Sequence, residues 1–164
     1  MTMLHETFSN HKNMMGENVF SSLVPDYINS NLNPNFELRP YQKEAFGRFE
    51  FFLDTYPNKP KNSPLNVMYH MATGSGKTLI MAGEILTLYK RGYRNFLFFV
   101  NSTNIITKTK ENFLNKGSSK YLFNDSINID GNLVNIKEVD NFSSTNINDI
   151  NIVFTTIQGL HLSM

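Results

Sequence analysis

The sequence predicts an α/β domain with a mostly parallel sheet. Three short apolar runs, at residues 65–71, 96–100 and 150–157, have the length and composition of buried strands. A long apolar stretch of helical character follows the first run and stops at Gly92, and residues 103–115 form a second helical pattern. Strands that alternate with helices in this way are typical of a parallel sheet with right-handed crossover connections.

Length and composition agree with one globular domain, or with two small ones. The chain has 164 residues, of which 15 are basic and 14 acidic, so its formal net charge is +1. That charge excludes binding driven by a large global positive charge, and the absence of cysteine excludes disulfide scaffolds and thiolate sites. No apolar stretch is long enough to span a bilayer, and the N-terminus lacks the apolar core of a signal peptide. A cytoplasmic protein is therefore expected.

Before the first predicted strand, the chain divides into a polar segment and a helix. Residues 1–38 are polar with weak periodicity, and we expect a lead-in segment with one short helix. In residues 39–56, apolar side chains recur at three- and four-residue steps, which is the period of an amphipathic helix. Pro40 suits the first turn of that helix, because the N–H group that proline lacks would have no partner there. Residues 59–64 contain two prolines and are expected to form a linker.

The second half of the chain adds one helix, one insertion and the last strand. In the helix over residues 103–115, Ile105, Ile106 and Phe113 are expected to face the core, and Lys108 and Lys110 to face outward. Residues 116–149 are rich in asparagine, serine and aspartate, and the alternation over 133–139 is weak. We expect an irregular insertion that carries a small hairpin.

The most informative segment is the glycine-rich run at residues 72–78, which lies between a predicted strand and a predicted helix. Binding a polyphosphate requires several backbone N–H groups that converge on one anion, and glycine lets the chain curl tightly enough. The positive end of the following helix dipole would face the same oxygens. The alternative is a tight turn that needs its glycines for geometry alone. The residues assigned to nucleotide binding are Ala72, Thr73, Gly74, Ser75, Gly76, Lys77 and Thr78.

Two residues of this run have chemical roles of their own. Lys77 would reach the β and γ phosphates, and the hydroxyl of Thr78 would coordinate Mg²⁺ together with ATP; these two residues are also the catalytic candidates. The full Walker pattern has a glycine at the position that Met71 occupies here.

A second segment, residues 38–42, narrows the choice of nucleotide. The amide of Gln42 can donate to and accept from the two atoms of the exposed edge of adenine, and the ring of Tyr41 beside it could stack. Taken alone, a glutamine at the start of a helix is usually a solvated polar residue. Together with the glycine-rich run, it favours an adenine site that includes Arg39, Tyr41 and Gln42.

These segments carry a resemblance to a known family. Residues 39–42 and 71–78 resemble the glutamine motif and motif I of superfamily 2 helicases and translocases, in which a small residue often replaces the first Walker glycine. Residues 98–102 resemble motif Ia, and residues 153–160 resemble motif Ib. The sequence of these segments most resembles that of the restriction (Res) subunit of type III restriction-modification enzymes. It resembles type I restriction motor subunits to a lesser degree.

The resemblance implies a fold, cofactors and partners. The fold would be a RecA-like P-loop NTPase, a three-layer domain over residues 39–164 that is incomplete and is preceded by the glutamine-motif helix. The cofactors would be ATP and Mg²⁺. The partners would be double-stranded DNA and a modification methyltransferase subunit.

The composition is compatible with DNA binding by one part of the chain. Residues 90–120 contain seven basic side chains against one acidic side chain, Glu111. A translocase moves along any sequence, so its contacts should go to phosphates. The alternative is that the lysines of the helix over residues 103–115 are only a solvated face. The candidates, all at or near the ends of predicted strands, are Ser102, Thr103, Lys108, Thr155, Thr156 and Gln158.

The hydrolytic machinery of the resembled family is not complete in these residues. Hydrolysis in that superfamily requires an acidic motif of the Asp-Glu-x-His type, and no adjacent Asp-Glu pair occurs in the sequence. We therefore expect an N-terminal portion of a larger enzyme that is inactive or nearly so by itself. The alternatives are another superfamily 2 helicase, a P-loop kinase, or a non-catalytic module that binds nucleotide or protein.

Overall fold

The computed structural model describes residues 3–56, 64–143 and 145–162. These residues contain α1 (Leu4–Met15), α2 (Asp26–Asn31), α3 (Pro40–Asp54), α4 (Lys77–Lys90), α5 (Thr103–Leu114) and α6 (Ile157–Leu162), with one 3₁₀ turn at Ser21–Leu23. The strands are β1 (Asn95–Val100), β2 (Ile127–Ile129), β3 (Asn132–Val134), β4 (Ile136–Glu138) and β5 (Ile150–Thr156). The predicted linker at residues 59–64 lies, except for Pro64, outside the described residues.

The chain forms two compact units. The first consists of Met1–Asp26 and Glu37–Glu84, and the second of Tyr27–Phe36 and Ile85–Met164. The predicted division after residue 38 follows motif content rather than contacts, and it stays a prediction. None of the helices in the described ranges is long and apolar enough to cross a membrane.

Helix α3 confirms the amphipathic helix predicted for residues 39–56. Pro40 is its first residue, and the side chain of Gln42 accepts a hydrogen bond from the backbone N–H of Arg39, the residue that precedes the helix. The apolar face is buried, including Phe46 at 1% and Phe52 at 5% exposure. Cap and periodicity are local signals, so the sequence was sufficient to place this helix.

The core of the first unit also includes the segment before α3. The rings of Phe8, Phe20 and Phe51 pack edge to face, with centroids 5.3 to 6.1 Å apart. Gly47 lies so close to the preceding turn that a Cβ atom there would be 1.6 Å from the carbonyl oxygen of Phe20. The sequence predicted one short helix in residues 1–38, whereas the structure contains α1, α2 and the 3₁₀ turn.

The predicted strand at residues 65–71 is wrong. These residues form no strand, and most of their side chains are exposed, including Met68 at 89% and Val67 at 40%. A strand needs a neighbour to which it can donate and from which it can accept ladder hydrogen bonds. The described sheets are composed of β1 to β5 alone. The apolar run at residues 65–71 was therefore not sufficient to predict a strand.

The second unit contains the predicted parallel sheet. Its order is β1-β5-β4, and both pairs are parallel, with Val100 opposite Thr156 and Ile136 opposite Ile150. The predictions of β1 and β5 are confirmed as strands. The expectation that the first of them is a buried strand is wrong, because its residues alternate and Leu97 and Phe99 are 42% and 50% exposed.

Helix α5 packs against this sheet. The ring of Phe113, 1% exposed, contacts the ring of Phe154 on β5 at 6.5 Å between centroids, which confirms that Phe113 faces the core. Ile105, also predicted to face the core, is 45% exposed, and that expectation is wrong. It lies in the first turn of α5, at the end of the helix opposite to Phe113.

The insertion at residues 116–149 does carry a hairpin, but earlier than expected. Strands β2 and β3 are antiparallel and are joined by Asp130 and Gly131, with φ of 54° and 81°. Positive φ at both turn positions matches the right-handed twist of a hairpin, which explains why aspartate and glycine stand there. Strand β4, inside the stretch where the alternation suggested the hairpin, instead joins the parallel sheet.

Candidate nucleotide-binding site

The glycine-rich run forms a tight loop that leads directly into α4, which begins at Lys77. Gly74 and Gly76 have φ of 78° and 86°, a region in which a Cβ atom is strained. The two glycines are therefore required by the backbone of the loop. The helix after the loop is confirmed, and it ends at Lys90, before Gly92 with φ of 99°.

The loop offers several free N–H groups. Among the described residues, the backbone N–H groups of Gly74, Gly76, Lys77 and Thr78 donate no hydrogen bond. The first N–H groups of any α-helix lack partners within the helix. Here the first N–H groups of α4, at Lys77 and Thr78, directly follow those of Gly74 and Gly76 in the loop. An anion at this position would find several donors together with the positive end of the helix dipole.

The amino group of Lys77 lies over the loop that precedes it. Its Nζ atom donates to the carbonyl oxygens of Met71 and Ala72, at 3.0 and 2.9 Å. The hydroxyl of Ser75 donates to the same Ala72 carbonyl at 2.7 Å. Carbonyl oxygens are weaker partners for an ammonium group than phosphate oxygens are, so a bound phosphate would compete for Lys77 effectively.

The residues of the glutamine motif contact the loop directly. The side-chain Nε2 of Gln42 and the hydroxyl of Tyr41 both donate to the carbonyl oxygen of Ser75, each at 3.0 Å. Arg39 Nη1 donates to the Tyr41 hydroxyl at 3.3 Å. Gln42 is only 4% exposed, and a Cβ atom at Gly76 would lie 2.4 Å from its Nε2. The structure thus brings Arg39, Tyr41 and Gln42 to the loop, and their assignment to an adenine site stays a prediction.

A cavity of about 1060 Å³ adjoins this group of residues. Its wall includes Tyr41, Ala72 and Ser75, and also His5 and Phe8 of α1. Ligand pockets for small molecules span roughly 300 to 1,000 Å³, so a nucleoside has room there. This contribution of α1 was not predicted, because α1 carries no motif.

A partly buried acid also escaped the sequence analysis. Burial raises the pKa of the Glu84 carboxyl on α4 to about 7, against the opposing effect of its hydrogen bond with Tyr69. The pKa of Tyr69 is also raised, first by burial and then by the charge and hydrogen bond of Glu84. One carboxyl oxygen of Glu84 is buried without a hydrogen-bond partner among the described residues. A single glutamate within an apolar helix gives no sign of its burial in the sequence.

In the second unit, four of the DNA-binding candidates lie at the ends of neighbouring strands. Ser102 precedes the first residue of α5, Thr103, and both follow β1. Thr155 and Thr156 end β5, which pairs with β1 in parallel, so these side chains lie at one edge of the sheet. The hydroxyl of Thr156 accepts a hydrogen bond from the N–H of Gly159 at 3.0 Å. The other candidates are exposed on helices, Lys108 on α5 and Gln158 on α6.

Two lysines of the basic stretch are paired with acids of the insertion. Lys90 forms an ion pair with Asp130 at 2.5 Å, and Lys110 forms one with Glu138. Lys116 donates to a backbone carbonyl within the insertion, at Asp125. Lys108 differs from these residues, because it is exposed and has no ion pair or hydrogen bond within the described ranges. The excess of positive charge in the sequence is therefore larger than the excess that remains available on the surface.

No group of three or more histidine, aspartate or glutamate side chains that could hold a metal ion occurs in the part of the chain that the structure describes. A magnesium ion at this site would depend on the Thr78 hydroxyl and on the phosphates of the nucleotide. The donor types fit this ion, since Mg²⁺ commonly uses few protein ligands together with substrate phosphates and water.

Comparison with known proteins assigns the chain to a family. Residues 35–164 match the family described as "Type III restriction enzyme, res subunit". The chain belongs to this Res family. The match confirms the fold class, a P-loop lobe of the helicase type with an incomplete RecA-like sheet, and it includes α3, the loop and the parallel strands. Helix α1 lies outside the matched residues.

The chain is also similar in sequence to a curated protein. The chain is 40% identical over 144 residues to the probable type III restriction-modification enzyme HindVIP Res subunit of Haemophilus influenzae. The alignment covers 84% of this chain and 27% of that protein, so the chain spans about a quarter of the relative's length. No solved structure matches the chain.

Proposed function

We propose that this chain is the ATP-binding portion of an ATP-dependent DNA translocase that acts as the restriction subunit of a type III restriction enzyme. Membership of the Res family supports a helicase-like restriction subunit in general. The observation that carries the proposal is the loop itself. Four backbone N–H groups that have no partner among the described residues and the amino group of Lys77 lie together at the start of α4.

The loop residues would hold the phosphates of ATP. The N–H groups of Gly74, Gly76, Lys77 and Thr78 would donate to the phosphate oxygens, and Lys77 would exchange its carbonyl partners for the β and γ phosphates. Mg²⁺, when bound, would neutralise charge on the phosphates, and the Thr78 hydroxyl is the protein ligand for it.

The amide of Gln42 retains the groups that adenine recognition requires. A glutamine amide has two N–H donors and an oxygen with two lone pairs. Ser75 uses one donor and the N–H of Arg39 uses one lone pair, so one donor and one lone pair have no partner among the described residues. This is the complement of the N7 acceptor and the N6 donor of adenine. Gln42 is therefore proposed as the base-recognition residue, with Tyr41 and Arg39 beside it.

The DNA-binding role is proposed for the second unit. Ser102, Thr103, Thr155 and Thr156 have hydroxyl and backbone groups of the kind that bind phosphates, at the carboxyl ends of β1 and β5. Lys108 and Gln158 would extend this surface. Double-stranded DNA and a modification methyltransferase subunit are the proposed partners of the intact protein, in keeping with the restriction-modification name of the relative.

The test is binding of MgATP to the 164-residue chain by isothermal titration. We expect measurable binding and at least a tenfold loss in Lys77→Ala, because that variant removes the charge that would face the β and γ phosphates. Lys120→Ala is the matched control, since Lys120 is also exposed and lies in the second unit. Equal affinity in the wild type and Lys77→Ala would contradict the proposal.

The same samples test the expectation about hydrolysis. Because no adjacent Asp-Glu pair occurs in the 164 residues, we expect binding without steady-state release of phosphate. Sustained turnover that Lys77→Ala abolishes would show that this chain supplies its own catalytic acid, contrary to the proposal.

A further inference from the structure

We propose that Tyr41 and Gln42 position the phosphate-binding loop through the carbonyl group of Ser75, so that two residues of the base-recognition segment control the binding of phosphates. This inference rests on the proposed function of the loop. It gives the Tyr41 hydroxyl a role different from the stacking that the sequence suggested for its ring.

The evidence is the convergence of two donors on one carbonyl oxygen. Tyr41 Oη and Gln42 Nε2 both donate to the oxygen of Ser75, each at 3.0 Å. Arg39 Nη1 donates to the Tyr41 hydroxyl at 3.3 Å, which leaves the hydroxyl proton for Ser75. A carbonyl oxygen has two lone pairs, and here both can be occupied. The orientation of the Ser75 carbonyl is thus fixed by α3 and the residue before it.

That orientation sets the direction of a donor in the loop. The peptide unit between Ser75 and Gly76 is planar and trans, so its N–H points opposite to its C=O. With the carbonyl directed at Tyr41 and Gln42, the N–H of Gly76 is directed away from them, and it has no partner among the described residues. Without the two hydrogen bonds, this peptide unit could rotate and turn its oxygen toward an incoming phosphate.

The backbone of the loop would be mobile without the two hydrogen bonds to the Ser75 carbonyl. Gly74 and Gly76 both have positive φ, and glycine has more backbone freedom than any other residue. Ordering such a loop only when the ligand arrives would cost conformational entropy and weaken binding. Contacts that hold the loop before binding lower that cost. Gln42 also fills the space beside Gly76.

The experiment measures binding of inorganic tripolyphosphate with Mg²⁺, a ligand that has no base, to the 164-residue chain. Tyr41→Phe keeps the ring and removes only the hydroxyl. We expect it to weaken both tripolyphosphate and MgATP about three- to tenfold, the effect of one lost hydrogen bond. Tyr89→Phe is the matched control, because it also removes a hydroxyl that donates to a carbonyl, that of Asn148, at 2.9 Å in the second unit.

A second variant separates positioning from stability. Gln42→Glu can still accept from the N–H of Arg39 but cannot donate to Ser75, and we expect it to weaken tripolyphosphate at least as much as Tyr41→Phe does. Thermal unfolding of each variant is followed in parallel, so that loss of affinity in a folded protein is recognised as such.

The outcomes distinguish this inference from the proposed function. If Lys77→Ala loses tripolyphosphate but Tyr41→Phe binds it as well as or better than the wild type, the role of Tyr41 is overturned and the proposed function stands. If Tyr41→Phe weakens ATP but not tripolyphosphate, Tyr41 acts on the base and the inference is also wrong. If Lys77→Ala has no effect on either ligand, the proposed function itself fails.

Discussion

At the scale of single residues, Glu84 is an acid that burial keeps partly out of contact with water. It lies two turns after Lys77 on α4, and one of its oxygens is buried without a partner in the described ranges. Burial raises the pKa of its carboxyl to about 7, although the hydrogen bond with Tyr69 acts in the opposite direction. A carboxyl with a raised pKa binds a proton more tightly in the folded chain than in the unfolded chain.

This gives a prediction for the pH dependence of stability. Between the ordinary pKa of glutamate and about pH 7, the folded state retains a proton that the unfolded state has lost, so the free energy of unfolding falls as pH rises. We expect Glu84→Gln to remove up to about 3 kcal/mol of this fall. Urea unfolding at pH 5 and pH 8 measures it, with the exposed Glu37→Gln as control. Parallel pH profiles for Glu84→Gln and the wild type would contradict the prediction.

Gln42 makes one contact that its local sequence predicts and one that it does not. Its residue type and its place at a helix start indicated an adenine-binding amide, and the structure shows that amide in hydrogen bonds to Arg39 and Ser75. The bond to Arg39 joins residues three positions apart, which is the spacing of a local contact at the start of a helix. The bond to Ser75 joins residues 33 positions apart, and nothing local in the sequence specifies it.

At the scale of elements, α3 depends on close approach to the turn that precedes it. Gly47 has no side chain, and the backbone of Phe20 occupies the place that one would take. Gly47→Ala is therefore expected to lower the free energy of unfolding by about 3 kcal/mol or more, because neither backbone can move without disrupting the surrounding aromatic core.

Urea unfolding followed by circular dichroism measures this effect. Gly117→Ala is the control, since its added Cβ atom would lie 3.4 Å from a flexible side-chain atom of Asn115. If both alanine variants unfold at the same urea concentration, the packing of α3 tolerates more displacement than the structure indicates.

The elements that the sequence predicted correctly carry their own local signals. Helix α3 has Pro40 and the capping side chain of Gln42 at its start, and α4 has glycines on both sides. The run at residues 65–71 has only its apolar composition, which does not determine whether a neighbouring strand is present. Strand β4, with three residues, is too short to be recognised and exists because β5 lies beside it.

Asn31 illustrates a contact that only packing reveals. It is 2% exposed; its side-chain nitrogen donates to the backbone oxygen of Asn128 at 2.9 Å, and its oxygen accepts from the backbone N–H of Asn128 at 2.7 Å. It thereby joins α2 to β2 across 97 positions of sequence. The frequency of asparagine in the chain did not indicate which asparagines are structural.

At the scale of the whole molecule, the net charge of +1 arises from cancellation between neighbours in space. Lys90 is paired with Asp130, Lys110 with Glu138, and Lys137 with the buried Asp149. The insertion therefore does more than balance the charge of the sequence. It occupies specific lysines that would otherwise be available to a polyanion.

A prediction about DNA binding follows for the intact parent protein. Lys108→Ala should reduce the slope of log affinity against log salt concentration by about one unit, because Lys108 is exposed and unpaired within the described residues. Lys110→Ala should change the slope less and should lower stability, because Lys110 pairs with Glu138 and lies over the ring of Phe154. Titration of duplex DNA at several salt concentrations measures both. Equal slopes for Lys108→Ala and the wild type would leave Lys108 as a solvated surface charge.

The sequence by itself determined the glycine-rich loop, the start of α3, the parallel β1–β5 pair and the family. Each of these depends on signals within a few neighbouring residues: glycines for positive φ, a proline and a capping pair, or an apolar run of strand length. The tertiary structure decided which side chains donate to the Ser75 carbonyl and which lysines are engaged in ion pairs. It also decided which residues of β1 are exposed, and that residues 65–71 form no strand. Those outcomes depend on contacts between residues tens of positions apart, and the chain specifies them only once it is packed.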